Sequence, residues 1–260
     1  MVIAASGANA AVPFDVRYES ELAGMTNTSA TFSKVGVETF DGKSSTASFA
    51  TNFGGSPFTG TYSSANGNYV QINGSDQYGG AGNSGKYAVA FNSTPYSLTL
   101  DQGVTYFGYW LSALDAGNTV TFYSHGTKLF TFDAADALHA VDTAPSANKD
   151  DYYGKPGTGA TRWDRANPGE PYIFLDFFAN NGLTFDKIEF AEKPTYGGGY
   201  ELDNHTVGLY TGKGTGTEVQ LINSTVAAVP EPASWAMMLA GFGFVGSSIR
   251  RRKTSALRTA

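Results

Sequence analysis

Three kinds of side chain could carry chemistry in this sequence: carboxylates, aromatic rings and a few scattered histidines. The chain has 260 residues, 32 of them glycine, and contains no cysteine. The lack of cysteine excludes a disulfide framework, a thiolate metal site and a cysteine nucleophile. Any site must therefore be built from oxygen atoms, rings or imidazoles.

A first candidate site joins two carboxylates that lie far apart in the chain. Glu38 is followed by Asp41 and Gly42, and Asp203 precedes Asn204. Ca²⁺ takes about six to eight hard oxygens, which carboxylates and carbonyls near strand ends supply. The pattern loosely resembles jelly-roll carbohydrate-binding modules, in which a structural Ca²⁺ lies between the first and last strands. We predict a calcium site at Glu38 and Asp203; the alternative is ordinary turn chemistry.

A second candidate site is aromatic. Residues 142–171 show no regular period and are rich in glycine, proline and charge, which is typical of a functional or disordered loop. This loop contains Tyr152, Tyr153 and Trp163. A flat ring can stack on a sugar face while neighbouring polar groups bind hydroxyls. We predict that these three residues bind ligand. The aromatic strand at 106–110 is expected to lie mostly in the core.

Catalytic signals are weak. The histidines, His125, His139 and His205, have no metal-binding spacing, and no G-x-S-x-G segment is present. We therefore predict that the protein is not an enzyme. A glycosidase pair of carboxylates stays open, because so many acids offer chance pairs. The glycine-rich segment 211–217 fails the phosphate-loop spacing, and we interpret it as a linker.

The charge is distributed unevenly. The net charge is −6, yet residues 230–260 hold five basic residues and one acid, so the rest holds 12 basic and 22 acidic residues. Such a surface repels nucleic acid and suits cations or neutral polymers. The alternative is that acidity only keeps an exported protein soluble.

The C-terminal end has three consecutive parts. Residues 227–232 contain two prolines, residues 233–249 carry no charge, and residues 250–253 are all basic. About 17 uncharged residues are at the lower limit for crossing a bilayer, and the basic end should stay in the cytoplasm. We predict a single transmembrane helix with the domain outside. A plain C-terminal anchor or a buried helix is the alternative.

The order of these parts resembles the PEP-CTERM sorting signal. The resemblance rests on Val229, Pro230, Glu231, Pro232, Trp235, Ala236, Arg250, Arg251 and Arg252. It implies processing by an exosortase, a membrane cysteine protease, and transient anchoring in the membrane through the C-terminal helix. It also implies delivery to the cell surface or extracellular matrix of a Gram-negative bacterium.

The N-terminus and the tail define three regions. Residues 1–11 are small and apolar and end in Ala8-Asn9-Ala10, a cleavage-like pattern without a basic start. We interpret them as the remnant of a signal peptide; the alternative is a flexible N-terminus. The predicted organisation is this remnant at 1–11, a surface domain at 12–226 and the sorting signal at 227–260.

The surface domain shows strand patterns. Alternation of period two, as at 96–100 and 119–123, indicates strands with one packed face. We predict about a dozen short strands, a three-stranded meander over 104–132, and one helix over 134–141 capped by Asp133. The predicted fold class is all-β: a jelly-roll-like β-sandwich with a C-terminal single transmembrane sorting helix.

A wider resemblance covers residues 35–210. The segments 36–41, 106–118 and 201–207 are similar to a family of exosortase-dependent surface proteins, which implies location and no particular activity. We predict an exported surface or matrix protein that binds polysaccharide passively, with Ca²⁺ as a structural cofactor. The alternatives are a purely structural surface protein without a specific ligand and a glycan hydrolase.

Overall fold

Alternating apolar and polar residues form strands throughout the domain, as the burial of β1 (Phe14–Glu19) illustrates: every second residue is buried. The computed structural model describes residues 12–19, 25–145, 151–154, 167 and 169–227. Residues Val12–Val226 form one compact unit. The predicted signal-peptide remnant, the transmembrane helix and the sorting-motif residues lie outside the described residues. Among the described residues, no helix has the length and apolarity needed to cross a membrane.

The described strands form two antiparallel sheets. Sheet 1 contains β1, β2 (Thr31–Glu38), β5 (Gln71–Gly74), β6 (Lys86–Ala90), β8 (Tyr106–Ser112), β11 (Ile173–Ala179), β13 (Tyr200–Gly212) and β14 (Thr217–Glu218). Sheet 2 contains β3 (Ser48–Thr51), β4 (Gly60–Ser64), β7 (Tyr96–Val104), β9 (Asn118–Ser124), β10 (Thr127–Asp133), β12 (Phe185–Glu192) and β15 (Thr225–Val226). The spatial orders are β14-β1-β11-β8-β13-β6-β5, with β2 also paired to β13, and β15-β10-β9-β12-β7-β4-β3.

The core lies between the two sheets and is rich in aromatic rings. Phe177 of sheet 1 lies 5.0 Å from Phe122 of sheet 2, and Phe107 of sheet 1 lies 5.7 Å from Phe190 of sheet 2, measured between ring centroids. His205 is fully buried among these rings, and its Nδ1 lies 3.0 Å from the Tyr62 hydroxyl. The predicted β-sandwich is therefore confirmed.

Sheet 1 is also covered on part of its outer face. All residues of β8 and β11 are buried, and a second cluster joins Trp110, Tyr172, Phe174 and Ala81 of a short 3₁₀ helix, Ala81–Asn83. The aromatic strand residues at 106–110 are therefore all buried, on both faces of the sheet. The sequence had predicted that they lie mostly in the core.

The predicted helix is confirmed as α1 (Ala134–Thr143), which follows β10 directly. The carboxylate of Asp133 accepts a hydrogen bond from the Ala135 amide at 3.0 Å, as an N-cap residue should.

The predicted three-stranded meander is wrong. β9 and β10 do form a hairpin, in which Thr127 lies opposite Ser124. β8, however, belongs to sheet 1, where its two edges pair with β11 and β13. The segment that includes Asp115 therefore crosses from one sheet to the other instead of closing a hairpin. Ala113, at its start, adopts the left-handed region with a φ of 50°, which redirects the chain.

Candidate functional site: an acidic groove on sheet 1

A groove of about 440 Å³ is open to solvent and has β5, β6 and the beginning of β13 among its walls. We call it the acidic groove. Its lining residues come from segments far apart in the chain: Asn73, Asp76, Tyr78, Tyr87, Phe91, Ala113, Asp115, Glu170, Gly197, Gly198, Gly199 and Glu201.

Glu201 is the most buried acid of the groove lining. Its neighbours Tyr200 and Leu202 point into the core, so the alternation of β13 turns Glu201 to the outer face of sheet 1. The residue is only 7% exposed, and its Oε2 atom has no hydrogen-bond partner among the described residues. Burial raises the pKa of Glu201 to about 8, and the nearby carboxylates of Glu170, Asp115 and Asp76 add to this rise. The side chain is therefore mostly protonated at neutral pH.

Asp115 supplies a second carboxylate from the crossing segment between β8 and β9. Its Oδ1 accepts a hydrogen bond from the Gly117 amide at 2.5 Å, which fixes the turn. Burial raises the pKa of Asp115, and the carboxylate of Glu170 contributes further. Two acids of the groove thus hold their protons more tightly than they would in water.

Glu192 lies close to Asp115 at the end of β12. It is 4% exposed, and neither carboxylate oxygen has a hydrogen-bond partner among the described residues. Burial raises its pKa to about 8, the carboxylate of Asp115 adds to the rise, and Lys193 opposes it. Lys193 itself pairs with Asp133 at 2.7 Å, so its charge is shared with a carboxylate away from the groove lining.

The loop 75–85 forms the aromatic side of the groove. Oδ1 of Asp76 accepts hydrogen bonds from the amide of Tyr78 at 2.8 Å and the hydroxyl of Tyr87 at 3.0 Å. A Cβ on Gly79 would lie 2.4 Å from the Tyr87 ring, so only glycine lets the loop lie on this ring. The ring of Tyr78 remains 45% exposed. It offers a flat apolar face beside polar groups.

The segment 197–199 forms the glycine-rich part of the groove lining. A Cβ on Gly199 would lie 2.2 Å from Oε1 of Glu201, whereas a Cβ on Gly197 would meet nothing within 4 Å. The missing side chain at position 199 therefore leaves room for the Glu201 carboxylate in this position. The arrangement combines hydroxyl-binding carboxyl groups with an exposed ring, which is suited to a polyhydroxylated ligand.

Glu38 and Asp203, the predicted calcium ligands, lie on the neighbouring strands β2 and β13, where Glu38 is opposite His205. The Glu38 carboxylate accepts hydrogen bonds from the Phe40 amide and the Thr51 hydroxyl, and it lies 3.4 Å from Lys43. No group of three or more metal-binding side chains occurs among the described residues. Calcium binding there stays a prediction.

Asp203 has a role that the sequence did not indicate. Its Oδ2 atom accepts a hydrogen bond from the Ala81 amide at 2.7 Å, and its Oδ1 accepts one from the Asn204 amide. Ala81 belongs to the loop 75–85, which carries Tyr78. Asp203 therefore holds the aromatic side of the acidic groove against β13.

Two of the predicted aromatic ligand residues, Tyr152 and Tyr153, are not among the described residues that line this groove. Tyr152 is 8% exposed, packs edge-on against Tyr18 at 5.3 Å, and lines a smaller groove of about 220 Å³. The hydroxyl of Tyr153 donates to Asp142 at 2.5 Å. Trp163 lies outside the described residues. Ligand binding by these three residues stays a prediction.

The C-terminal residues 228–253 match the family model described as the PEP-CTERM protein-sorting motif. The chain carries a PEP-CTERM sorting motif. The match includes the nine residues that the sequence singled out, from Val229 to Arg252. No curated protein matches the chain.

The PEP-CTERM motif implies an exported cell-surface protein with a C-terminal anchoring signal that an exosortase processes. The residues that form the acidic groove are upstream of the motif, within the compact unit Val12–Val226. The sorting prediction made from the sequence is therefore confirmed.

The acidic groove itself was not predicted from the sequence. One local signal existed: Tyr78-Gly79-Gly80 and Tyr196-Gly197-Gly198 repeat the same three residues. The first lies in the aromatic side of the groove and the second leads into its glycine-rich side. A match of three residues is too short to count as an internal repeat. Only the fold shows that both segments contribute residues to the same groove.

Proposed function

We propose that this exported protein binds polysaccharide passively at the acidic groove, at the outer surface or in the matrix of a Gram-negative cell. The observation that carries the proposal is that the exposed Tyr78 lines the same groove as Glu201, whose buried Oε2 has no hydrogen-bond partner among the described residues. A ring binds the apolar face of a sugar, while a buried carboxyl group gains from a hydroxyl partner. PEP-CTERM sorting brings the domain to where such polymers are found.

Cosedimentation of the full chain with the host's extracellular polysaccharide tests this function. Tyr78→Ala should reduce the bound fraction markedly, because stacking on an aromatic ring contributes on the order of 1 kcal/mol. Tyr69→Ala is the matched control, because Tyr69 is 44% exposed and does not line the groove. Equal binding by both variants, or no binding by the folded wild-type protein, would favour a purely structural surface protein.

A glycan hydrolase is a second candidate, favoured by one observation. Glu201, with its pKa raised to about 8, resembles a general acid, and Asp115 and Glu170 supply further carboxylates in the same groove. Release of reducing ends from the polysaccharide, abolished by Glu201→Gln, would establish hydrolysis. Binding without such release supports the passive function.

The calcium and topology predictions belong to the same proposal. We propose that Ca²⁺ at Glu38 and Asp203 stabilises a sandwich of jelly-roll type, supported by the pairing of β2 with β13. The melting temperature, measured in calcium and in EGTA, tests this calcium site. It should be higher in calcium for the wild-type protein, and the double variant Glu38→Gln, Asp203→Asn should melt at the same temperature in both buffers. An unchanged difference would overturn the assignment.

A further inference from the structure

We propose that the acidic groove selects polysaccharides that carry protonated amino groups, that is, amino-sugar units without their acetyl groups. This inference rests on the proposed function and specifies its ligand. The first support is charge: Asp76, Asp115, Glu170 and Glu201 line the groove, and none of the lining residues that the structure describes is basic. An anionic polymer would be disfavoured beside these acidic groups. A cationic one would be favoured, because a positive charge also favours the ionised form of Glu201.

The unpartnered atom of Glu201 is the second and independent support. Glu201 lines the groove and is only 7% exposed, and its buried Oε2 atom has no hydrogen-bond partner among the described residues. A buried polar atom in this state is costly, and the cost is relieved when a ligand supplies a donor. An ammonium group has three donors, and its hydrogen bond to a carboxylate is stronger than that of a neutral hydroxyl.

The aromatic side adds a contact that also favours a cation. The exposed ring of Tyr78 can stack on the sugar ring, and its face attracts a positive group placed on that sugar. Lys193 interacts electrostatically with Asp115. Its ammonium group donates to the carbonyl of Ala116 and pairs with Asp133. Lys193 therefore does not occupy the place of the ligand's ammonium group.

A divalent metal fits the groove less well than an ammonium group. Ca²⁺ requires several oxygen ligands at close range, and the described residues contain no such cluster of three. An ammonium group on a sugar can be bound by one carboxylate while the rest of the ring is held by stacking. The same lining thus favours a cation attached to a sugar.

Calorimetric titration of the full chain in mild detergent tests the inference with two matched probes. One is a β-1,4-linked glucosamine hexamer and the other is the same hexamer fully N-acetylated, both at pH 6 and low salt. The free amine should bind several-fold more tightly, because its charge-assisted hydrogen bond outweighs the cost of ionising Glu201. Binding of the ammonium group should also release the proton of Glu201. The buffer takes up this proton, so the measured binding enthalpy should change with the ionisation enthalpy of the buffer.

Variants and additives decide between the outcomes. Glu201→Gln should reduce the preference for the amine to about one, while the exposed Glu218→Gln control should retain it. Equal binding of both hexamers that depends on Tyr78 would overturn this inference and leave the proposed function standing. A heat of calcium binding that Glu201→Gln removes and Glu38→Gln retains would assign the groove to calcium and also overturn it. Failure of both hexamers and of the host polysaccharide would overturn the proposed function itself.

Discussion

At the residue scale, three buried carboxyl groups among the described residues hold their protons unusually tightly. Burial raises the pKa of Asp176 to about 7 and those of Glu192 and Glu201 to about 8. Asp176 lies in sheet 1, where the hydroxyl of Tyr106 donates to it at 2.6 Å. Residue types alone do not reveal these shifts, because burial depends on neighbours that are distant in the sequence.

The stability of the protein should fall as the pH rises from 6 to 9. A carboxyl group whose pKa is raised by folding stabilises the folded state fully below its unfolded pKa, which is 4.5 for Glu201. That contribution is lost as the pH rises through about 8. The free energy of unfolding, measured by denaturant titration, should fall by a few kcal/mol, at roughly 1.4 kcal/mol per group for each pH unit between pH 6 and the pKa of the folded state.

The paired substitution Glu192→Gln with Glu201→Gln is the control, since glutamine imitates the protonated acid. Most of the pH dependence should disappear in this variant. His205 acts in the opposite direction: burial lowers its pKa to about 3, so its contribution is lost as the pH falls below 6.5. A wild-type stability that stays constant or rises from pH 6 to 9 would contradict the assigned protonation of Glu192 and Glu201.

At the element scale, local patterns predicted individual strands and the helix well. The alternation in β7 and β9 and the cap at Asp133 are visible in the sequence, and the structure confirms them. The sequence of β4 (Gly60–Ser64) gives no such signal, because glycine, serine and threonine there resemble a turn. The meander failed for a different reason: which sheet a strand joins is decided by pairing with distant strands, here β11 and β13 for β8.

The glycine-rich segment before β13 provides a prediction about one element. In Gly199→Ala the new Cβ would displace the Glu201 carboxylate, so polysaccharide binding should weaken by roughly tenfold, or about 1.4 kcal/mol. Gly197→Ala should bind like wild type, since its Cβ would meet nothing within 4 Å. Cosedimentation compares the two variants after circular dichroism confirms that both are folded. Equal weakening in both would show that the segment's flexibility matters, and not the position of the Glu201 carboxylate.

At the scale of the whole molecule, the sequence shows how the protein is delivered more clearly than what it binds. The sorting motif is contiguous, so its order of prolines, apolar residues and arginines can be recognised from the sequence alone. The acidic groove combines Tyr78, Asp115, Glu170 and Glu201 from four separate parts of the chain. No spacing rule joins such positions. The negative net charge outside the tail indicated a preference for cations or neutral polymers. Four of these acidic residues line the groove.

Hydrogen–deuterium exchange of the full chain, with and without soluble fragments of the host polysaccharide, tests most directly whether the acidic groove is the binding site. We expect slower amide exchange at residues 75–85 and 196–201 when the polysaccharide is bound. The edge hairpin of β3 and β4 should be unaffected, because it contributes no lining residue. Protection confined to residues 151–154 would place the ligand at Tyr152 and Tyr153 instead, and would contradict the acidic groove as the site.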